Sequence, residues 1–171
     1  HDINVYVTTN GSMLSRRYAW YNLRDIRGLN ISIHDYNLDV NAEITGINLE
    51  IENLIEAIEI VYDVGATIRL NCNCIKDSID SKDQCYEYIK FAKEIGATHV
   101  RFAELKNDDD NFVDLAEVFD FEYGLNLSPF YHGCNRDVVI DGMKVNFRQM
   151  CGLQTNMRET PEDPEQIVNP V

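Results

Sequence analysis

Short β-rich runs alternate with longer stretches of helical period along the first 120 residues. The first run is Val5-Tyr6-Val7-Thr8-Thr9-Asn10-Gly11. The others are Leu29-Asn30-Ile31-Ser32-Ile33-His34, Thr67-Ile68-Arg69-Leu70-Asn71-Cys72-Asn73 and His99-Val100-Arg101-Phe102-Ala103-Glu104-Leu105. Each is rich in β-branched or aromatic residues and ends in polar groups, the pattern of a strand. Between them, residues 14–27 predict a helix with Tyr18, Leu23 and Ile26 as apolar positions, stopped by Gly28. Residues 35–46 predict a polar loop ending in Ile44-Thr45-Gly46. The clearest helix carries Ile51, Leu54, Ile55, Ile58, Val61 and Tyr62 at helical spacing, with Glu50, Glu52, Glu56 and Glu59 on other faces and Gly65 after its end. Asp80 or Ser81 then caps a helix whose face holds Cys85, Ile89, Ala92 and Ile95, closed by Gly96. A short amphipathic segment with Phe112, Leu115, Val118 and Phe119 follows the fourth run. This alternation of strand and helix predicts parallel strands joined by right-handed crossovers.

The remainder differs. Residues 138–147 predict a hairpin turning at Asp141-Gly142. The end, 159–171, holds three prolines and four acids and predicts a mobile tail. The expected fold class is α/β: an incomplete parallel (β/α) barrel of about four β-α units with a C-terminal β-hairpin extension. The corresponding division is 1–121 for the barrel part, 122–158 for the extension and 159–171 for the tail. An open parallel sheet leaves edges that proteins normally cover. Pairing of two copies into a homo-oligomer through an exposed sheet edge is one expected solution.

Composition narrows the function classes. A chain of 171 residues fits one domain with a real core. The formal charge of −14 argues against nucleic acid and anionic membrane surfaces as partners; its plainest role is solubility. No apolar run reaches membrane-spanning length and no secretory leader is visible, so no membrane association is expected. The five cysteines, Cys72, Cys74, Cys85, Cys134 and Cys151, do not form a compact secreted disulfide framework. A reduced, cytoplasmic setting is the expectation. A first residue that is His rather than Met, with a strand beginning at once, suggests the later part of a longer protein.

Strand alternation sorts the candidate chemistry. Tyr6, Thr8 and Asn10 share a face, as do Ser32 and His34. Arg69, Asn71 and Asn73 lie opposite Leu70, Cys72 and Cys74, and Arg101 and Ala103 lie opposite Phe102 and Glu104. Ligands of parallel α/β folds sit at the carboxyl ends of the strands. Converging polar faces there would offer hydroxyls, amides and an imidazole to a polar ligand. Any one such residue is most simply a strand-end group facing water; repetition over three strands is what points to a site. No Ser-His-Asp order or obvious nucleophile is present, and no catalytic residue or metal ligand is assigned. Cys134, Cys151 and His132 make three of the four ligands zinc needs, so buried structural thiols are the better expectation. Arg136 and Arg148 are candidates for holding an anionic substrate group, with a plain surface role equally open.

These pieces resemble a family. Thr8-Thr9-Asn10-Gly11, Ile31-Ser32-Ile33-His34, Ile44-Thr45-Gly46, Gly65-Ala66-Thr67-Ile68-Arg69-Leu70-Asn71 and Gly96-Ala97-Thr98-His99-Val100-Arg101-Phe102 match, in order and spacing, the later part of a radical S-adenosylmethionine (SAM) domain. The molybdenum-cofactor cyclase and peptide-modifying enzymes are of this kind. The resemblance covers residues 3 to about 105. It implies a partial barrel binding SAM at its strand ends, with Thr8 and Asn10 near the methionine part. Ser32 and His34 would reach the methionine or ribose, Asn71 the ribose side, and the backbone near Phe102 would flank the adenine. The family's CxxxCxxC loop and its Gly-Gly-Glu segment do not occur in the sequence, and Cys72-Asn73-Cys74 has the wrong spacing to replace the former. The cofactors implied for the full-length parent are SAM and a [4Fe-4S] cluster, the latter not bound by this chain. The implied parent reaction is hydrogen abstraction by a 5′-deoxyadenosyl radical on a substrate the sequence does not identify. The alternatives are a non-catalytic binding or interaction module on a degenerate half-barrel, and a distinct α/β domain with a flavodoxin-like or half-TIM sheet.

Overall fold

Hydrogen bonding gathers the β-rich runs and the hairpin into one open six-stranded sheet in the order β1-β2-β3-β4-β6-β5. The structure is a computed structural model; it describes residues 3–14, 23, 25–105, 108–119 and 135–149. The strands are β1 (Tyr6–Thr9), β2 (Gly28–Ser32), β3 (Thr67–Asn73), β4 (His99–Ala103), β5 (Asn135–Ile140) and β6 (Met143–Arg148). The pairs β1–β2, β2–β3, β3–β4 and β4–β6 are parallel, and only β5–β6 is antiparallel. The expected order of parallel strands is therefore observed. The hairpin turns where expected, because Asp141 (φ 48°) and Gly142 (φ 80°) supply the two positive φ values of a type I′ turn. Its second strand, however, is bonded to β4 along five residues. The hairpin is thus an integral edge of the sheet rather than an appendage.

The helices are α1 (Leu38–Thr45), α2 (Ile51–Asp63), α3 (Lys82–Glu94) and α4 (Leu115–Val118). α1 corrects the expected polar loop at 35–46. Asn37 caps it by accepting the Asp39 N–H at 3.0 Å, and Gly46 (φ 71°) closes it in the left-handed conformation. Its apolar residues Leu38, Val40, Ala42 and Ile44 fall at every second position, which hides the helical period, so only the caps betray it. α2 buries Leu54, Ala57, Ile58 and Val61, while Ile51 and Tyr62 of the expected apolar face are exposed. α3 starts at a capping box in which Ser81 and Gln84 satisfy each other's backbone N–H groups. The helix expected at 14–27 falls mostly outside the described residues, as do the tail at 159–171, Cys134, Cys151 and His132. Leu14, Leu23 and Ile26 are described and buried. No helix among the described residues is long and apolar enough to cross a membrane.

Alternation decides where the core lies. Leu29, Ile31, Ile68, Leu70, Cys72, Val100, Phe102, Val145 and Phe147 all point to one face and are buried. α2 packs against β3 and α3 against β4 on that face. Phe102 sits at its centre, stacked on Phe147 (centroids 5.7 Å apart) and edge-on to Tyr88 (5.4 Å). Gly28 is required on the other face. A Cβ there would lie 2.7 Å from both the Thr67 hydroxyl and the Tyr6 ring.

Phe102→Ala is expected to lower unfolding free energy by about 3–5 kcal/mol through lost burial and a residual cavity. Tyr62→Ala, at a side chain 64% exposed, is expected to stay within about 0.5 kcal/mol of the parent. Urea unfolding of the two variants checks both.

Candidate functional site

The second face of the sheet is polar and open. Register places Thr8, Asn30, Arg69, His99 and Lys144 in one row across β1, β2, β3, β4 and β6. The next row toward the carboxyl ends is Ser32, Asn71, Arg101, Asn146 and Asp137. Parallel sheets usually cover both faces with helices.

At the carboxyl rim, hydrogen bonds hold several groups in place. Asn30 donates through Nδ2 to the Thr8 hydroxyl (3.2 Å), and the Asn10 carbonyl Oδ1 accepts from the Ser12 hydroxyl (2.8 Å). His34 is fixed twice. Its N–H donates to Asn41 Oδ1 on α1 (2.7 Å), and its Nδ1 accepts the Asn73 N–H (3.1 Å). The second bond leaves the ring proton on Nε2. Burial pushes the His34 pKa below the ordinary value of 6.5. Behind the rim, the buried Tyr88 hydroxyl donates to the Ile33 carbonyl (2.8 Å), so the core holds the end of β2. Asn71 Oδ1 is buried and has no hydrogen-bond partner among the described residues.

Beside the rim, the face forms a groove of about 810 Å³. Arg69, His99, Arg101, Lys144, Asn146 and Asp137 give it its polar character. Arg101 donates through Nε to Asn146 Oδ1 (2.8 Å), and Asn146 Nδ2 donates to Asp137 Oδ1 (2.8 Å). The Thr98 hydroxyl donates to the Ile68 carbonyl (2.8 Å), so His99 Nδ1, 2.8 Å away, is the donor in their contact. His99 Nε2 is left as an acceptor. The His99 pKa is lowered first by burial and then by Lys144 and Arg69, with Asp137 opposing. Arg101 is lowered first by burial and then by Arg69 and Arg148. The groove is electropositive.

Of the expected site residues, Thr8, Asn10, Ser32, His34 and Asn71 come together along the carboxyl rim of β1, β2 and β3. Phe102 does not join them, because its side chain is fully buried on the helix-covered face. Only its backbone borders the open face. Of the two arginines considered for an anion, Arg148 lies at the open end of β6, whereas Arg136 pairs with Phe147 and so faces the helix side. Arg69, Arg101 and Lys144 were not read as a cationic group, although alternation already gave Arg69 and Arg101 their faces. Asn41, which positions His34, lay in a segment expected to be loop and gave no signal.

No protein-family model matches the chain. GTP 3',8-cyclase of Aquifex aeolicus is 23% identical over 144 residues, 84% of this chain and 40% of that protein. A radical SAM methyltransferase from Sphaerobacter thermophilus matches in structure with a TM-score of 0.59 and 16% identity, covering 88% of this chain and 41% of that one. Streptococcus suis SuiB, in a structure bound to S-adenosylmethionine, gives a TM-score of 0.46 and 21% identity over 59% of this chain and 23% of that one. The chain therefore spans less than half the length of each of these proteins. Fold and polar face define an open, mostly parallel α/β sheet of the partial-barrel class. In sequence the chain is similar to part of a radical SAM cyclase, and in fold to part of a radical SAM methyltransferase.

The resemblance implies two cofactors, and the residues fit them differently. The orphaned Asn71 Oδ1, beside Ser32 in the register, suits the hydroxyl-rich, amine-bearing SAM molecule. An iron–sulfur cluster has no matching donor set among the described residues. Cys72, Cys74 and Cys85 are buried, the first two on the helix-covered face. Burial pushes the Cys72 thiol up, against formation of the thiolate a cluster needs.

Both imidazoles have folded-state pKa values below 6.5. As pH falls through the ordinary imidazole value, the unfolded chain takes up protons that the folded chain refuses. Folding stability is therefore expected to be full above about pH 6.5 and to decline as pH drops below it. Denaturant unfolding across this range checks the decline, and His34→Gln with His99→Gln is expected to flatten it.

Proposed function

We propose that this chain supplies SAM-binding strand ends and part of the substrate-facing wall of a radical SAM enzyme. The observation that carries the reading is the convergence of Thr8, Asn10, Ser32, His34 and Asn71 at the carboxyl ends of three adjacent parallel strands, with Asn71 Oδ1 buried and without a partner among the described residues. Bound SAM in such an enzyme is the source of a 5′-deoxyadenosyl radical that abstracts hydrogen from substrate. This chain's part is to bind and orient. Asn71 accepts a ribose hydroxyl proton, which removes the cost of its orphaned oxygen. Ser32 donates or accepts beside it, and His34 offers a fixed Nε2–H donor. Thr8 and Asn10 extend the polar rim toward the methionine part, and the Phe102 backbone borders the adenine. The Tyr88 hydroxyl ties the Ile33 carbonyl to α3 and so fixes the backbone between Ser32 and His34, which makes the rim preorganised rather than assembled by the ligand.

Titration of SAM into the chain, followed residue by residue by amide NMR, tests the reading. Weak binding is expected, with shifts at Asn10, Ser32, His34 and Asn71. Ser32→Ala and Asn71→Ala are each expected to weaken it by about 2–10-fold, the worth of a single hydrogen bond. Shifts confined to other parts of the sheet would refute it.

A further inference from the structure

We propose that the open face over β3, β4 and β6 carries an oxyanion site, in which Arg69, Arg101 and Lys144 bind a phosphate or carboxylate group of a small ligand. The chain as a whole is strongly acidic, with 29 Asp and Glu against 15 Lys and Arg. Yet three cations line one groove that holds a single carboxylate, Asp137. Asp137 does not neutralise them directly: it accepts from Asn146, and Asn146 in turn accepts from Arg101. Among the described residues the Arg69 side chain makes no hydrogen bond, and its Nε is buried without a partner. Lys144 forms no ion pair with a described residue. Strand register gathers three cations around His99, with Arg69 and Arg101 half-buried, Lys144 exposed and Asp137 the one carboxylate lining the groove. That arrangement costs folding energy unless an anion completes it.

The geometry suits an oxyanion in particular. Asn146 occupies the Nε of Arg101, which leaves the terminal guanidinium nitrogens as donors in a fixed orientation. His99 separates Arg69 from Lys144 in the register and presents Nε2 to the same space, where it can accept a proton from a hydroxyl of the ligand. A groove of about 810 Å³ is the size of a small-molecule site. Arg101 pairs in register with Asn71, so the anion would sit one strand from the rim. That the anion belongs to a substrate presented to the rim rests on the reading in the preceding section; the anion site itself does not.

The experiment titrates the chain, in the absence of SAM and at low ionic strength, with inorganic pyrophosphate and separately with succinate. Calorimetry gives affinity and amide NMR gives location. Saturable binding of either anion is expected, with shifts at Arg69, His99, Arg101 and Lys144. Arg69→Gln and Arg101→Gln should each weaken it by about tenfold or more, as for loss of a charge-assisted contact. Lys90→Gln, which removes the same charge from the outer face of α3, should leave it unchanged. Preference for pyrophosphate assigns a phosphoryl ligand and preference for succinate a carboxylate; either supports the site. Should Arg69→Gln fail to fold, Arg69→Lys keeps the charge, loses the planar fork and is expected to bind with intermediate affinity. Absence of binding by both anions, or binding that Lys90→Gln weakens as much as Arg101→Gln does, overturns the proposal. Because SAM is left out, that failure would leave the strand-end reading standing, and the converse also holds.

Discussion

Everything on the open face depends on strand register. Side chains alternate along a strand, so slipping β3 by one residue would send Arg69, Asn71 and Asn73 into the helix layer and expel Leu70, Cys72 and Cys74 into water. Burial of the apolar row under α2 and α3 excludes that slip. The polar row is thereby placed without needing stabilising contacts of its own. A set of like-charged and orphaned polar groups can persist on the open face because the apolar layer behind it holds the strands in place.

The connection between core and site is physical at two points. Tyr88 is fully buried among Phe91 and Phe102, yet its hydroxyl reaches the Ile33 carbonyl where β2 leaves the ladder. Asn41, buried on α1, takes the His34 N–H on the other side of the same strand end. Side chains thus replace ladder bonds where β2 peels away, and these replacements hold Ser32 and His34 at the rim. A buried polar group that must be satisfied becomes a positioning device for its neighbours.

Charge is distributed with the same logic. Glu52, Glu56 and Glu59 sit on the exposed side of α2, where water screens them. The cations Arg69, Arg101 and Lys144 stand on the sheet, half-buried or at the groove's edge, where screening is weaker; burial first, then Lys144 and Arg69, lowers the His99 pKa. Net charge described the surface of this chain and concealed the opposite sign of its groove.

Local periodicity was enough for the strands, for α2 and α3 with their caps, for the hairpin turn, and for which residues of each strand share a face, because these depend on neighbours within one or two turns of chain. The resemblance of short strand-end segments to radical SAM domains was also legible, as was the polar rim of Thr8, Asn10, Ser32, His34 and Asn71. α1 was not, because its apolar residues alternate with polar ones as in a strand, and its helical order comes from the caps at Asn37 and Gly46. Nor was the place of Phe102, whose backbone belongs to the open face and whose ring belongs to the core. The docking of β6 on β4 was invisible for a different reason: it joins segments some forty residues apart, and no local pattern encodes which edge a hairpin will meet. With that pairing, Lys144 falls beside His99, and His99 beside Arg69. Three residues unremarkable in the chain become one electropositive groove, since cross-strand adjacency is set by tertiary hydrogen bonding and not by position in the sequence.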